Sequence, residues 1–163
     1  MKNKPILYTT QAAIIAALYV ALTGIFQPIS FWAVQFRVSE ALCVLPYFTP
    51  AAIPGVTIGC FLSNLFFSGN VWDMIFGTLA TLIGAFGSYY LRKWKWLVPI
   101  PPIVSNAVII PFVLKYAYHL EDAVWFMVVT VFIGEVCAIY MLGMILLLAL
   151  EKSRVIFRQR PKK

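Results

Sequence analysis

A chain of 163 residues with 62% apolar and 12% charged residues, and a mean hydropathy of +0.88, is too apolar for a water-soluble domain. The net charge of +7 comes from basic residues gathered at the chain ends and in one central loop. Disorder, a disulfide scaffold, a nucleic-acid-binding domain and most soluble enzymes are excluded, which leaves an integral membrane protein. The apolar runs are continuous and lack in/out alternation, so a β-barrel does not fit. At about 20 residues per span, the chain holds at most roughly six helices.

Lys2 and Lys4 precede an apolar stretch as they would in a signal peptide. No small-residue cleavage site follows a short apolar core, so a retained first span is expected, at about 9–29 and closing near Gln27-Pro28. No charge falls between Glu40 and Asp73, but Pro46, Pro50 and Pro54 interrupt that run. Each proline removes a backbone hydrogen bond and clashes with the preceding turn. The region therefore divides into a short span at about 37–48 and another at about 51–67. A fourth span fits about 73–91, a fifth about 97–117 with Pro99, Pro101 and Pro102 at its start, and a sixth about 122–150.

Orientation follows from the basic residues, which favour cytoplasmic loops. With the N-terminus inside, the inner segments are 1–8, the 49–51 turn, 92–96 and the tail 151–163. They hold every Lys and Arg except Arg37 and Lys115. Merging the two short spans would put the basic tail opposite the basic N-terminus. The expectation is a single all-α domain over 1–163, with six transmembrane helices, both termini cytoplasmic and a basic cytoplasmic tail. Trp94 and Trp96 then mark the inner interface, and Trp32, Trp72 and Trp125 the outer one.

Small residues recur at one-turn spacing in three spans. Ala51, Gly55, Gly59 and Ser63 line the third, and Gly77, Thr81, Gly84 and Ser88 the fourth. Both suit close helix packing within the chain. The first span carries Ala13, Ala17 and Ala21 with Ala12 and Ala16 beside them, a face wider than one neighbour needs. It serves either internal packing or a second membrane subunit.

Ionisable side chains inside a span are costly and mark function by default. Glu135 stands near the middle of the sixth span with no basic residue within a turn. It reads as a substrate ligand, an ion-coupling carboxylate, or a protonated side chain bonded to a neighbouring helix. Arg37 and Glu40, three apart, are placed to form an ion pair. Asn64 and Asn106 have amides that can both donate and accept. Asp73 is placed to cap the fourth span, and His119 falls in an outer loop beside acids. Cys43, Cys60 and Cys137 lie in apolar runs without CxxC spacing and read as buried small hydrophobes. There is no phosphate-binding GxxxxGK[ST] loop, no HExxH and no nucleophile elbow, so neither ATP hydrolysis nor another enzymatic activity is expected, and no cofactor or metal.

Several stretches resemble the QueT family of queuosine-precursor transporters. They are FRVSEALCVLP at 36–46, the 52–60 run with Asn64, DMIFGTLATLIGA at 73–85, Pro102 with Asn106, and Gly134-Glu135. The resemblance implies a substrate-specificity (S) component of an energy-coupling factor transporter, with a six-helix fold. It implies that an AxxxA face on the first helix, here Ala13 and Ala17 or alternatively Ala12 and Ala16, docks on a membrane scaffold subunit served by two ABC-type ATPases. The substrate it implies is a 7-deazaguanine. The N1–H and 2-NH₂ donors of such a base suit a carboxylate, Glu40 or Glu135, and its O6 suits Asn106, Asn64 or Arg37. Phe36, Trp72 and Phe67 are candidates to stack on the base, and Asp73 to meet an aminomethyl cation. A self-sufficient proton-coupled transporter using Glu135, and a structural membrane subunit without a ligand, are the rival readings.

Overall fold

The computed structural model describes residues 4–30, 36–117 and 123–153, and these are nearly all helical. Lys2, Trp32, His119, Glu121, Asp122 and the basic tail beyond Ser153 lie outside the described residues. Helix α1 (Lys4–Ile25) is mainly apolar, with Lys4, Thr9, Thr10 and Gln11 in its first half and Thr23 near its end. A turn at Phe26 leads into the short α2 (Gln27–Ser30), whose Pro28 sits in a first turn that needs no intrahelical N–H.

Val38–Tyr47, expected as an α-helical span, is instead a 3-10 helix of 10 residues. Such runs rarely exceed about four residues. Pro46 lies inside it and donates no bond, and Pro50 falls in the turn that follows. Helix α3 (Ala52–Ser63) then starts with Pro54 in its first turn and ends in a π-helical segment, Asn64–Ser68. Gly69, with φ +65, supplies the left-handed turn that stops it. Asn70 caps α4 (Val71–Tyr90) by accepting from the Trp72 N–H at 2.9 Å. The cap is therefore Asn70, not Asp73 as the sequence suggests. Two short 3-10 turns lead to α5 (Ile100–Ala117), with Pro101 and Pro102 in its first turn. The chain closes with α6 (Val124–Glu135), a second π-helical segment (Val136–Leu142) and α7 (Gly143–Lys152).

Among the described residues, four stretches are long and apolar enough to cross a membrane: Lys4–Ile25, Val71–Lys93, Lys95–Tyr116 and Val124–Lys152. Val38–Tyr47 and Ala52–Ser68 are apolar but shorter. In the 37–67 region, cut by its prolines, two shorter apolar helices stand where the sequence suggests a short span and a second one.

The 3-10 helix occupies the middle of the molecule. Every residue from Ser39 to Tyr47 is buried. With about three residues per turn, Glu40, Cys43 and Pro46 stack in one row. On one side Leu42, Cys43 and Leu45 pack with Ile15 and Tyr19 of α1 and Val56 and Cys60 of α3. On the other, Val44 and Tyr47 pack with Ile139 of the second π-helical segment and with Met144 and Leu147 of α7. Glycine permits the closest approaches. A Cβ at Gly59 would lie 2.6 Å from Tyr19 Cβ, and one at Gly143 would lie 2.9 Å from Val44. Large apolar side chains such as Ile14, Leu18, Phe86 and Ile145 cover the outside. A water-soluble surface would not leave so many exposed.

Candidate functional site

The charged side chains of the apolar helices converge on the start of the 3-10 helix. Arg37 precedes that helix in extended backbone (φ -99, ψ 102), which directs its side chain away from the helix axis toward α3 and α4. Its Nη2 lies 3.2 Å from Asp73 Oδ2, with side-chain exposures of only 5% and 1%. Arg37 Nη1 also donates to Asn64 Oδ1 at 3.3 Å, and Asn64 Nδ2 donates to the Asp73 backbone carbonyl at 3.1 Å. Gly77 leaves the room for this: a Cβ there would meet Asn64 Nδ2 at 3.0 Å. The planar guanidinium thus binds two helices at once. The Arg37–Glu40 pair suggested by spacing is corrected to Arg37–Asp73, because the side chain leaves from extended backbone rather than from a helical turn.

Glu40, at 1% exposure, is held by neutral donors. The Tyr19 hydroxyl donates to Oε1, and the Cys43 thiol donates to Oε2 at 3.0 Å. One turn of 3-10 helix separates Glu40 from Cys43 and brings the two groups together. Thr23 Oγ1 donates to Ser39 Oγ at 2.8 Å and ties α1 to the same stretch. Cys60 Sγ accepts from Thr81 Oγ1 at 3.3 Å and from Asn64 Nδ2 at 3.5 Å. Cys43 and Cys60 are buried as expected, but they serve as polar partners as well as small hydrophobes. Cys137 is half-buried.

Glu135 ends α6 at the point where the π-helical segment begins. Asn106 Nδ2 donates to its Oε1 at 3.0 Å. Its Oε2 is buried with no hydrogen-bond partner among the described residues. Glu135 lies within electrostatic reach of Glu40 and Arg37, and the π-helical segment that follows it packs on the 3-10 helix. A buried carboxylate oxygen without a donor is costly, and a ligand that brings a donor would remove the cost.

The structure thus brings together Arg37, Glu40, Asn64, Asp73, Asn106 and Glu135. Phe36 is half-buried against the group that holds Val44 and Ile139. Phe67 is half-buried, and its ring tip faces Gly24 of α1. Trp72 is not brought in: it is 57% exposed, stacks on Phe76 at 5.8 Å, and lines an outward groove with Phe112 and Tyr116. Tyr19, Cys43, Cys60 and Thr81 belong to the cluster although sequence reasoning does not single them out for it. The only signal available was their polar atoms inside apolar runs.

The two alanine registers of α1 differ in burial. Ala16 is buried and Ala12 half-buried against Gly55 and Gly59 of α3, whose added Cβ atoms would touch both alanine carbonyls. Ala13 and Ala17 are exposed, and both registers border one apolar groove together with Ile58, Leu62 and Phe66.

The family model described as QueT transporter matches residues 9–152 of the chain. A protein of Lactococcus lactis subsp. cremoris (strain MG1363), the "Queuosine precursor transporter QueT", is 48% identical over 73 residues, 44% of this chain. The match spans 43% of that relative's length. No solved structure matches the chain.

Proposed function

This chain belongs to the QueT transporter family, and from that premise we propose that it is the substrate-binding S component of an ATP-driven importer for a queuosine precursor of the 7-deazaguanine class. It sits in the bacterial cell membrane with six spans and both termini cytoplasmic. Of the two short helices, Val38–Tyr47 passes through the protein interior, while Ala52–Ser68 turns Ile58, Phe61 and Phe66 outward. A membrane scaffold subunit and two ABC-type ATPases supply the energy.

The observation that carries the substrate reading is the unpartnered Glu135 Oε2, buried beside Asn106 and next to Glu40 and Arg37. A guanine-like edge offers N–H donors to that oxygen, and its O6 accepts from an amide or guanidinium. Phe36, next to Arg37 in sequence and half-buried against Val44 and Ile139, is our candidate to cover the flat base. The small-residue groove of α1 supports docking on a scaffold: Ala13 and Ala17 are its exposed members, while Ala12 and Ala16 also pack against α3.

The test combines binding and uptake. Glu135→Gln should bind the 7-deazaguanine about tenfold or more weaker than the parent, because a buried donor then loses its acceptor. Unchanged affinity in a well-folded Glu135→Gln variant removes the carboxylate from recognition. Uptake in cells should stop when the partner ATPases are deleted. Flux driven by a pH gradient through the purified chain alone would instead support a proton-coupled transporter.

A further inference from the structure

The chemistry of the buried cluster is unbalanced in charge. Three carboxylates, Glu40, Asp73 and Glu135, share one guanidinium, Arg37, among the described residues. Arg37 forms its ion pair with Asp73. Glu40 and Glu135 are held by a phenol, a thiol and an amide, none of which carries positive charge. All these groups are nine-tenths or more buried, and Glu135 Oε2 has no hydrogen-bond partner there. Charges taken out of water require a counter-charge or a proton. Tyr19, Cys43 and Cys60, the other titratable groups of the cluster, bring no positive charge.

Resting on the reading just given, we propose that the site selects the cationic members of its substrate class: 7-deazaguanines whose side arm ends in an ammonium group. One carboxylate suffices for the flat N–H edge of the base, and Glu135, with an open oxygen, takes that part. Glu40 takes the ammonium. Each of its oxygens already accepts one directional bond, which leaves its remaining lone pairs and its charge for a compact cation. The side arm therefore points toward Tyr19 and the 3-10 helix, and the base toward Asn106.

Binding of two probes to the detergent-purified full chain tests this: 7-aminomethyl-7-deazaguanine, an ammonium at neutral pH, and 7-cyano-7-deazaguanine, which is neutral. The ammonium compound should bind about tenfold or more tighter, as a charge-assisted contact requires. In Glu40→Gln the preference should collapse, and a cooperative thermal unfolding transition like the parent's reports that the variant is folded. Equal or tighter binding of the nitrile compound by the parent chain overturns the charge selection and leaves the substrate class standing. A preference that survives in Glu40→Gln overturns the role given to Glu40. If neither compound binds the parent chain, the substrate reading itself falls, and this inference with it.

Discussion

Two ion pairs in this molecule have the same length and opposite settings. Arg37–Asp73 and Lys95–Glu151 both measure 3.2 Å, but the first has side-chain exposures of 5% and 1%, the second 36% and 35%. Arg37 is tied to Asn64 as well, and Asn64 to the backbone of Asp73. Glu151 instead takes a second bond from Tyr47 at 3.2 Å, at the end of the bundle where α4 turns into α5. Distance alone therefore says little about worth. A half-exposed pair pays side-chain entropy and is screened by water and salt, whereas each member of a buried pair depends on the other to be tolerated at all.

The largest effect should come from breaking the buried pair on one side. Arg37→Met leaves the Asp73 carboxylate buried without its cation and should cost about 3–5 kcal/mol, read as a large drop in thermal unfolding temperature in detergent. Adding Asp73→Leu to that variant should recover much of the loss. A mild effect of Arg37→Met alone would mean that water reaches the pair. Removing the Tyr19 hydroxyl comes next. Tyr19→Phe takes one donor from buried Glu40 and should cost about 1–3 kcal/mol, with weaker binding of an ammonium-bearing ligand as a second readout. The smallest effect belongs to the exposed pair: Lys95→Met should shift stability by less than about 1 kcal/mol, with a difference that shrinks further in high salt. A loss as large as that of Arg37→Met would erase the contrast between the two pairs.

Much of this site was legible because charge stands out in apolar sequence. Arg37, Glu40, Asp73 and Glu135 could be picked from the chain by the cost of placing them in a bilayer. Their pairing could not. Spacing suggests Arg37 with Glu40, but pairing depends on the backbone angle just before the 3-10 helix, for which the sequence carries no mark. Tyr19 and the cysteines escaped for a different reason: each has an apolar body with one polar atom, so an apolar run hides it. The proline breaks correctly separated the two short helices. They did not reveal that the first winds as a 3-10 helix, since local propensity does not distinguish that winding from the α form. Trp72 is the reverse case. In sequence it is an aromatic near the outer face and a candidate to stack on the base, but the first turn of α4 leaves it exposed while Asp73 is buried.

The threefold winding of Val38–Tyr47 has a consequence for how such a sequence can vary. Glu40, Cys43 and Pro46 share a row only because the repeat is about three residues, and both flanks of that row are filled by α1, α3 and the last helix. Inserting or deleting a single residue between Glu40 and Cys43 would swing everything beyond it by about 120°. The thiol would leave the carboxylate, and a new set of side chains would face Gly143. Sequences that share this arrangement can exchange side chains of similar size along the segment, but length changes are expected to be confined to the connections on either side of it.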